Sequence, residues 1–407
     1  MPYALHTLDI ENLPDSLALG TEENGFALVV RHRGRPAGMV MEPGKPGEVV
    51  GRGRLEALVA KAAGTSLLEQ RALAALAAGE PAPPPLPVTA CICTKDHPDL
   101  VERCLAALTA LPEWVAEDRT TFRILVVDNA PSDGATAAVV ARFPGVDYAM
   151  EPRPGLDFAR NKAIAASRDG LLAYVDDDAV VTPGWLAGLR RAWADNPDAG
   201  GFTGLVLPFA LETEAQVLFE RRGGFGRGYR RIRHMPVDPR NRVHPCGAGT
   251  FGAGCNMAFP REVLIALGGF DEALDTGRPL PGGGDLDIFY RVVRSGRPLV
   301  YDPDYALAHE HRKDMAGLKR QYWTWGQGFM AFVTKSRRSD PAARRRFSWL
   351  IFWWLRHQGR ELARALRGKG DVPVGMVVAE LRGAVTGILG EYDRSLRRTA
   401  EIRRRFP

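Results

Sequence analysis

The residues of this 407-residue chain with the clearest chemical potential are three consecutive aspartates, Asp176-Asp177-Asp178, directly after the apolar run Leu171-Leu172-Ala173-Tyr174-Val175. Carboxylates crowded at a strand end repel one another unless a cation or hydrogen-bond donors relieve them. Hard divalent ions favour such oxygen ligands, and Mg²⁺ is typically held by one or two carboxylates together with substrate phosphates. The plain alternative is an acidic turn that caps the next helix. Two histidines, His309 and His311, stand two residues apart after Tyr305-Ala306-Leu307-Ala308. On an extended strand they share a face, and imidazole is a usual ligand at Mn²⁺-type sites. A further acid, Asp285, follows Gly282-Gly283-Gly284 and enters a helix with Ile288, Phe289, Val292 and Val293 on its apolar positions. Helix capping is its structural explanation.

The frame for these groups is an alternation of strand and helix patterns from Val88 onward. Val88–Cys93, Phe122–Val127, Val146–Met150 and Leu171–Val175 read as strands; Pro98–Leu111, Asp133–Phe143, Asp157–Arg168 and Pro183–Ala194 read as helices. The rhythm predicts an α/β fold with a doubly wound, mostly parallel sheet and a ligand site at the carboxyl ends of its strands. Thr94, Asp96, Asp128 and Asp176 fall at those ends.

Several short motifs occur in a fixed order: Cys93-Thr94-Lys95-Asp96-His97-Pro98, Val126-Val127-Asp128-Asn129, Glu151-Pro152-Arg153-Pro154-Gly155-Leu156, Ala159-Arg160-Asn161 and Val175-Asp176-Asp177-Asp178. They are followed by Gly268-Gly269-Phe270-Asp271-Glu272, Gly284-Asp285-Leu286-Asp287 and His309-Glu310-His311-Arg312. Together they resemble the family-2 glycosyltransferases of the GT-A fold over about residues 88–335. The resemblance implies a metal-dependent, inverting, hexosyltransferase-type enzyme. Its donor would be a nucleotide-diphosphate sugar, a UDP-sugar being expected, and its acceptor a hydroxyl of unspecified identity.

By that resemblance Thr94, Asp96 and Asp128 hold the nucleoside, Asp128 accepting a base N–H as an acceptor-only carboxylate can. Arg160 and Asn161 face the diphosphate or sugar, Arg160 through charge-assisted hydrogen bonds. Asp176 reaches the ribose, Asp178 and His309 bind Mn²⁺ or Mg²⁺, with His311 as runner-up, and Asp177 orients its neighbours or touches the sugar. Asp285 aligns with the catalytic base. Family members often carry Glu-Asp where this chain has Gly284-Asp285, so the acceptor contacts differ. Asp287 reads as structural.

Outside that region, residues 1–80 read as a small α+β module, with a hairpin of Phe26–His32 and Pro36–Met41 about Arg33-Gly34-Arg35 and helical character over Arg54–Ala78. Residues 81–87 form a Pro-rich linker. Residues 336–407 form a basic helical extension: from Arg337 onward 17 Lys/Arg stand against 7 Asp/Glu, in a chain of net charge +6. Such a tail points to an anionic partner or a solvated helical face. Within it, Phe347–Leu355, with Trp349, Trp353 and Trp354 beside Arg344–Arg346 and Arg356, has the composition of an interfacial helix. Core packing or a homo-oligomer contact are the alternatives.

The five cysteines include no C-x-x-C pair and read as buried reduced thiols rather than metal ligands. A secretory leader pattern and a spanning apolar run are both missing, so the expected location is the cytoplasm, peripheral at a membrane if the tail binds one. A catalytically inactive binder of nucleotide sugars or carbohydrate is the alternative function, but it would be expected to lose the base or the metal carboxylates. No nucleic-acid-binding module is recognisable. A nucleotidyltransferase would open with a Gly-rich phosphate loop where this chain has Thr94-Lys95-Asp96-His97-Pro98.

Overall fold

The computed structural model describes residues 2–76, 86–277 and 279–407. Near the N-terminus β1 (Ala4–Asp9) precedes β2 (Ser16–Ala18), β3 (Gly25–His32), β4 (Arg35–Pro43), β5 (Val49–Gly51) and helix α1 (Arg52–Leu76). Strand β1 pairs parallel with β3, which pairs antiparallel with β4, while β2 and β5 form a separate ribbon. Arg33 and Gly34 turn the expected hairpin with φ of 52° and 75°, the sense that two-residue hairpin turns require. This sheet packs on the main one through Val29 against Leu205, Leu207, Tyr301 and Ala306, and through an ion pair of Arg35 with the buried Asp304. Of the expected linker, only Leu86 and Pro87 lie within the described residues.

The expected alternation then follows: β6 (Val88–Thr94), α2 (Pro98–Thr109), α3 (Pro112–Ala116), β7 (Phe122–Asn129), α4 (Ala135–Val140), β8 (Asp147–Glu151), α5 (Leu156–Ala166) and β9 (Leu171–Asp176). Beyond it come β10 (Ala179–Val181), α6 (Trp185–Asp195), β11 (Gly201–Pro208), α7 (Glu214–Arg221), β12 (Ile232–His234), β13 (Asn256–Pro260), α8 (Arg261–Ala266), α9 (Gly284–Arg294) and β14 (Leu299–His309). The sheet order is β10-β14-β11-β13-β9-β6-β7-β8, with β12 on β14. Strands β9, β6, β7 and β8 are mutually parallel, as are β11 and β14, while β13 runs antiparallel between the two groups. The parallel ladders are the longer ones, so the sheet is mostly parallel, as expected.

Alternation along β6 sends Ala90 and Ile92 into one core layer, with Leu105, Leu108 and Trp185, and Cys91 into the other, with Ala163, Phe259 and Phe289. Covering both faces explains why these strands are apolar throughout.

Helices α10 (Met315–Ser339), α11 (Arg344–Leu366), α12 (Val374–Thr386) and α13 (Tyr392–Arg405) close the chain. Gly326 and Gly383 let α10 and α12 cross closely. A Cβ on Gly383 would lie 1.9 Å from the Trp323 carbonyl oxygen, and one on Gly326 2.0 Å from that of Glu380. The crossing holds the aromatic residues of α10 against the site described next.

Candidate active site

Strand register sets the first side of the site. Thr94 stands opposite Asp128 across β6–β7, and Cys93 opposite Asp176 across β6–β9, so three strand ends form one polar edge. Asp128 is fully buried. Tyr148 donates its hydroxyl to Oδ2 at 2.9 Å, whereas Oδ1 has no partner among the described residues. Burial pushes the Asp128 pKa up, against the Tyr148 hydrogen bond. A buried acceptor left unmatched by the protein is suited to a donor from a ligand.

Asp96 is differently engaged. At φ 56° it accepts the backbone N–H and the hydroxyl of Ser132, both at 2.8 Å, and these bonds hold its carboxyl below the usual range. Thr94 donates its hydroxyl to Asp177 Oδ2 at 2.6 Å, and His97 Nδ1 lies 3.0 Å from the same oxygen. Asp177 thus ties the end of β9 to the end of β6, whereas Asp176 and Asp178 flank His309.

The β10–β14 register puts Ala179 opposite His309 and brings Asp178 Oδ1 to 3.1 Å from His309 Nε2. That contact lacks hydrogen-bond alignment: Asp178 Oδ1 and His309 Nδ1 are buried atoms with no hydrogen-bond partner among the described residues. Ligand atoms of Asp176, Cys255 and His309 lie within 4.8 Å of one another. Burial first, and Asp178 next, raise the Asp176 pKa to about 6. Burial opposes the charge of His309, but Asp178 outweighs it and the pKa rises. Carboxylates and an imidazole converging with unmet bonding capacity fit the expected Mn²⁺ or Mg²⁺. Cys255 also reaches this cluster. Its isolation from any other cysteine at metal-ligand spacing left no signal in the sequence.

His311 is elsewhere engaged. Strand β14 ends at His309, so the expected alternation stops there. His311 Nε2 lies 2.9 Å from Glu220 Oε2, and its ring packs edge-on against Phe219.

A cavity of about 540 Å³ opens beside the cluster, lined by Asp176, His309, Arg160, Arg312, Asp275 and Asp285, with Trp325, Phe329 and Trp354 as an aromatic wall. Asp285 lies in the first turn of α9, but the cap position belongs to Gly283 at φ 106°. Capping therefore does not explain Asp285. Asp287 turns inward to Arg291, at 2.7 Å, and to Lys335.

Two residues expected at the donor also have partners within the chain. Arg160 lines the cavity, but its Nη1 donates to Asp157 Oδ1 at 2.9 Å and reaches Asp275 Oδ2 at 3.4 Å. Burial works against its charge, and these acids restore it. Asn161 instead clamps the loop after α8. Its Nδ2 donates to the Phe270 carbonyl at 3.0 Å and to Glu272 Oε1 at 3.1 Å, and its Oδ1 accepts the Phe270 N–H at 2.8 Å. Arg312 lines the cavity without an acidic partner among the described residues.

Asp275, at φ 52°, had no recognisable sequence signal. It accepts the Gly284 N–H at 2.9 Å. A Cβ at Gly284 would lie 2.2 Å from Asp157 and 2.5 Å from Asp275, so two carboxylates fill the space a side chain there would need. Gly284→Ala should therefore shift α9 with Asp285. The expected loss is about 1–3 kcal/mol of stability, the usual cost of overpacking, read as a lower denaturation midpoint together with slower nucleotide release. An unchanged midpoint would show that the acids move aside freely.

Acids, an imidazole and an aromatic-walled cavity thus meet at the carboxyl edge of this sheet, where a doubly wound fold binds its ligand. Residues 89–268 match the family model described as Glycosyl transferase family 2, in agreement with the resemblance read from the motifs. It is 28% identical over 246 residues to the succinoglycan biosynthesis protein ExoM of Rhizobium meliloti, covering 58% of this chain and 72% of that one. It is 26% identical over 203 residues to the pre-mycofactocin glycosyltransferase of Mycobacterium tuberculosis, covering 48% and 38%. Among solved structures it is similar to the mannosyltransferase PcManGT from Pyrobaculum calidifontis in complex with GDP-Man and Mn²⁺. That similarity has a TM-score of 0.47 and 19% identity over 82% of this chain and 94% of that one.

Proposed function

We propose that the chain transfers a hexose from a nucleotide-diphosphate donor to an acceptor hydroxyl with inversion, using a divalent metal and Asp285 as general base. The observation that carries this reading is that Asp176, His309 and Asp285 line one cavity. Asp128 Oδ1 takes a base N–H, Asp176 meets the ribose, and Arg312 meets the diphosphate through charge-assisted hydrogen bonds. Asp178 and His309 would hold Mn²⁺ or Mg²⁺, which supplies charge neutralisation for the departing diphosphate.

On the acceptor side, Asp285 takes the hydroxyl proton as that oxygen bonds to the anomeric carbon. The bond from the anomeric carbon to the diphosphate breaks, and the nucleoside diphosphate leaves from the opposite face. Asp275, anchored by Gly284, offers a second carboxylate to the acceptor. Trp325 supports the reading of the aromatic wall as a sugar-stacking surface. The domain organisation that accompanies it is an N-terminal module (1–80), a linker (81–87), the catalytic domain (88–335) and a basic helical extension (336–407).

Incubation with Mn²⁺ and a panel of UDP-, GDP- and dTDP-sugars tests the donor class. One nucleotide should be released slowly in the absence of acceptor. No binding and no release with any member of the panel would sink the proposal. Binding without release in any acceptor screen would favour the inactive-binder alternative.

A further inference from the structure

Helix α11 buries Phe347, Leu350 and Trp354. Its outward face should then be polar, yet it carries Trp349, Phe352, Trp353 and Leu355 at 43%, 59%, 57% and 51% exposure. Arg345, Arg356 and Arg360 share that face at helical spacing. Ion pairs of the C-terminal extension join Arg338 to Asp393, Arg364 to Glu361, Arg294 to Asp340, Arg394 to Glu391 and Arg403 to Glu272. Among the described residues Arg337, Arg344, Arg345, Arg346, Arg356 and Arg360 have no acidic partner.

Beside this face lies a groove of about 370 Å³, with Arg337, Arg338 and Arg344 at its rim and Val333, Ile351 and Ile388 along its floor. Ile388 and its neighbour Leu389 are themselves exposed. The groove and the catalytic cavity lie along one ridge of α10. Trp325 and Phe329 line the cavity and, four and eight residues further on, Val333 and Arg337 line the groove.

We propose that this face docks the protein on an anionic lipid surface, with the aromatic side chains at the boundary of headgroups and acyl chains and the arginines on lipid phosphates. The unpaired charge argues for this occupant over two others. A nucleic acid would satisfy the arginines but leave Phe352 and Leu355 in water. A second copy of the chain would set arginine against arginine. None of the described helices is long and apolar enough to cross a membrane, so the contact is peripheral. Docking here brings the cavity wall, through Trp354 and Phe329, close to the lipid surface.

Flotation of the full chain with phosphatidylcholine vesicles, with and without phosphatidylglycerol, tests the proposal. Co-flotation is expected only with the anionic lipid and should fall with added salt. Arg345→Glu should weaken it by about fivefold or more, the factor equivalent to ~1 kcal/mol per basic residue near such a surface. The combined Trp349→Ser, Phe352→Ser and Trp353→Ser variant should remain at the bottom of the gradient. Metal-dependent donor hydrolysis in solution should stay at the parent level in both variants, which separates failure of the docking face from failure of the catalytic reading. The proposal is overturned by no co-flotation of the parent, or by co-flotation that neither variant changes. A dimer that the aromatic variant dissociates, without vesicle binding, would assign the face to a second copy. Salt-sensitive retention of nucleic acid without vesicle binding would also overturn it.

Discussion

Asp285→Asn is expected to slow nucleotide release by about 10²–10⁴-fold, the usual contribution of a positioned base, with donor affinity in Mn²⁺ unchanged within about twofold. The substitution is nearly isosteric. Asparagine keeps an oxygen for the Leu286 N–H, which Asp285 Oδ1 accepts at 2.8 Å. Helix α9 is held by Ile288, Phe289, Val292 and Val293, all buried, so the variant should fold. What it loses is the capacity to take a proton. Calorimetry for the donor and product release for turnover separate the two effects, and ordinary turnover would remove Asp285 as the base.

Asp178→Ala should abolish the metal dependence of nucleoside-diphosphate binding, with Mn²⁺ affinity falling by at least about a hundredfold, since even an indirect partner of a ligand is worth 10–100-fold. His309→Ala should behave alike, because its ring stands 3.1 Å from Asp178. His311→Ala should keep the metal dependence and lose stability instead, since it leaves Glu220 without its imidazole partner. Titrations with and without Mn²⁺ check all three. Metal-independent binding in the parent would contradict the assignment, and loss of metal dependence in His311→Ala would exchange the two histidines.

Much of the frame was legible because periodicity is a local property. The apolar runs at Val88, Phe122 and Leu171 became β6, β7 and β9, and their polar ends lie along one edge. The Arg33-Gly34 turn and the helix after it were equally readable. Strand β1 was not, because Ala4-Leu5 and His6-Thr7 break the apolar–polar alternation.

Within the site, residue type indicated the chemistry but not the partner. Asp176, Asp177 and Asp178 are the same residue in a row. They are separated by strand register, which sends Asp177 to Thr94 and Asp178 to His309. Arg160 and Asn161 carried the right groups for a diphosphate, yet tertiary neighbours engage both, Asp157 and Asp275 for one and the loop after α8 for the other. Cys255 and Asp275 were invisible, since each enters the site from a loop without a pattern of its own. The absence of a side chain at Gly284 was readable; its cause, two carboxylates from elsewhere in the chain, was not.

The most direct test of sugar transfer with inversion at this site is the anomeric configuration of the sugar first released from an α-linked nucleotide-sugar donor in Mn²⁺, followed by proton NMR before mutarotation. The β anomer is predicted, at a rate that collapses in Asp285→Asn. Release of the α anomer, or a rate indifferent to Asp285, would contradict the account.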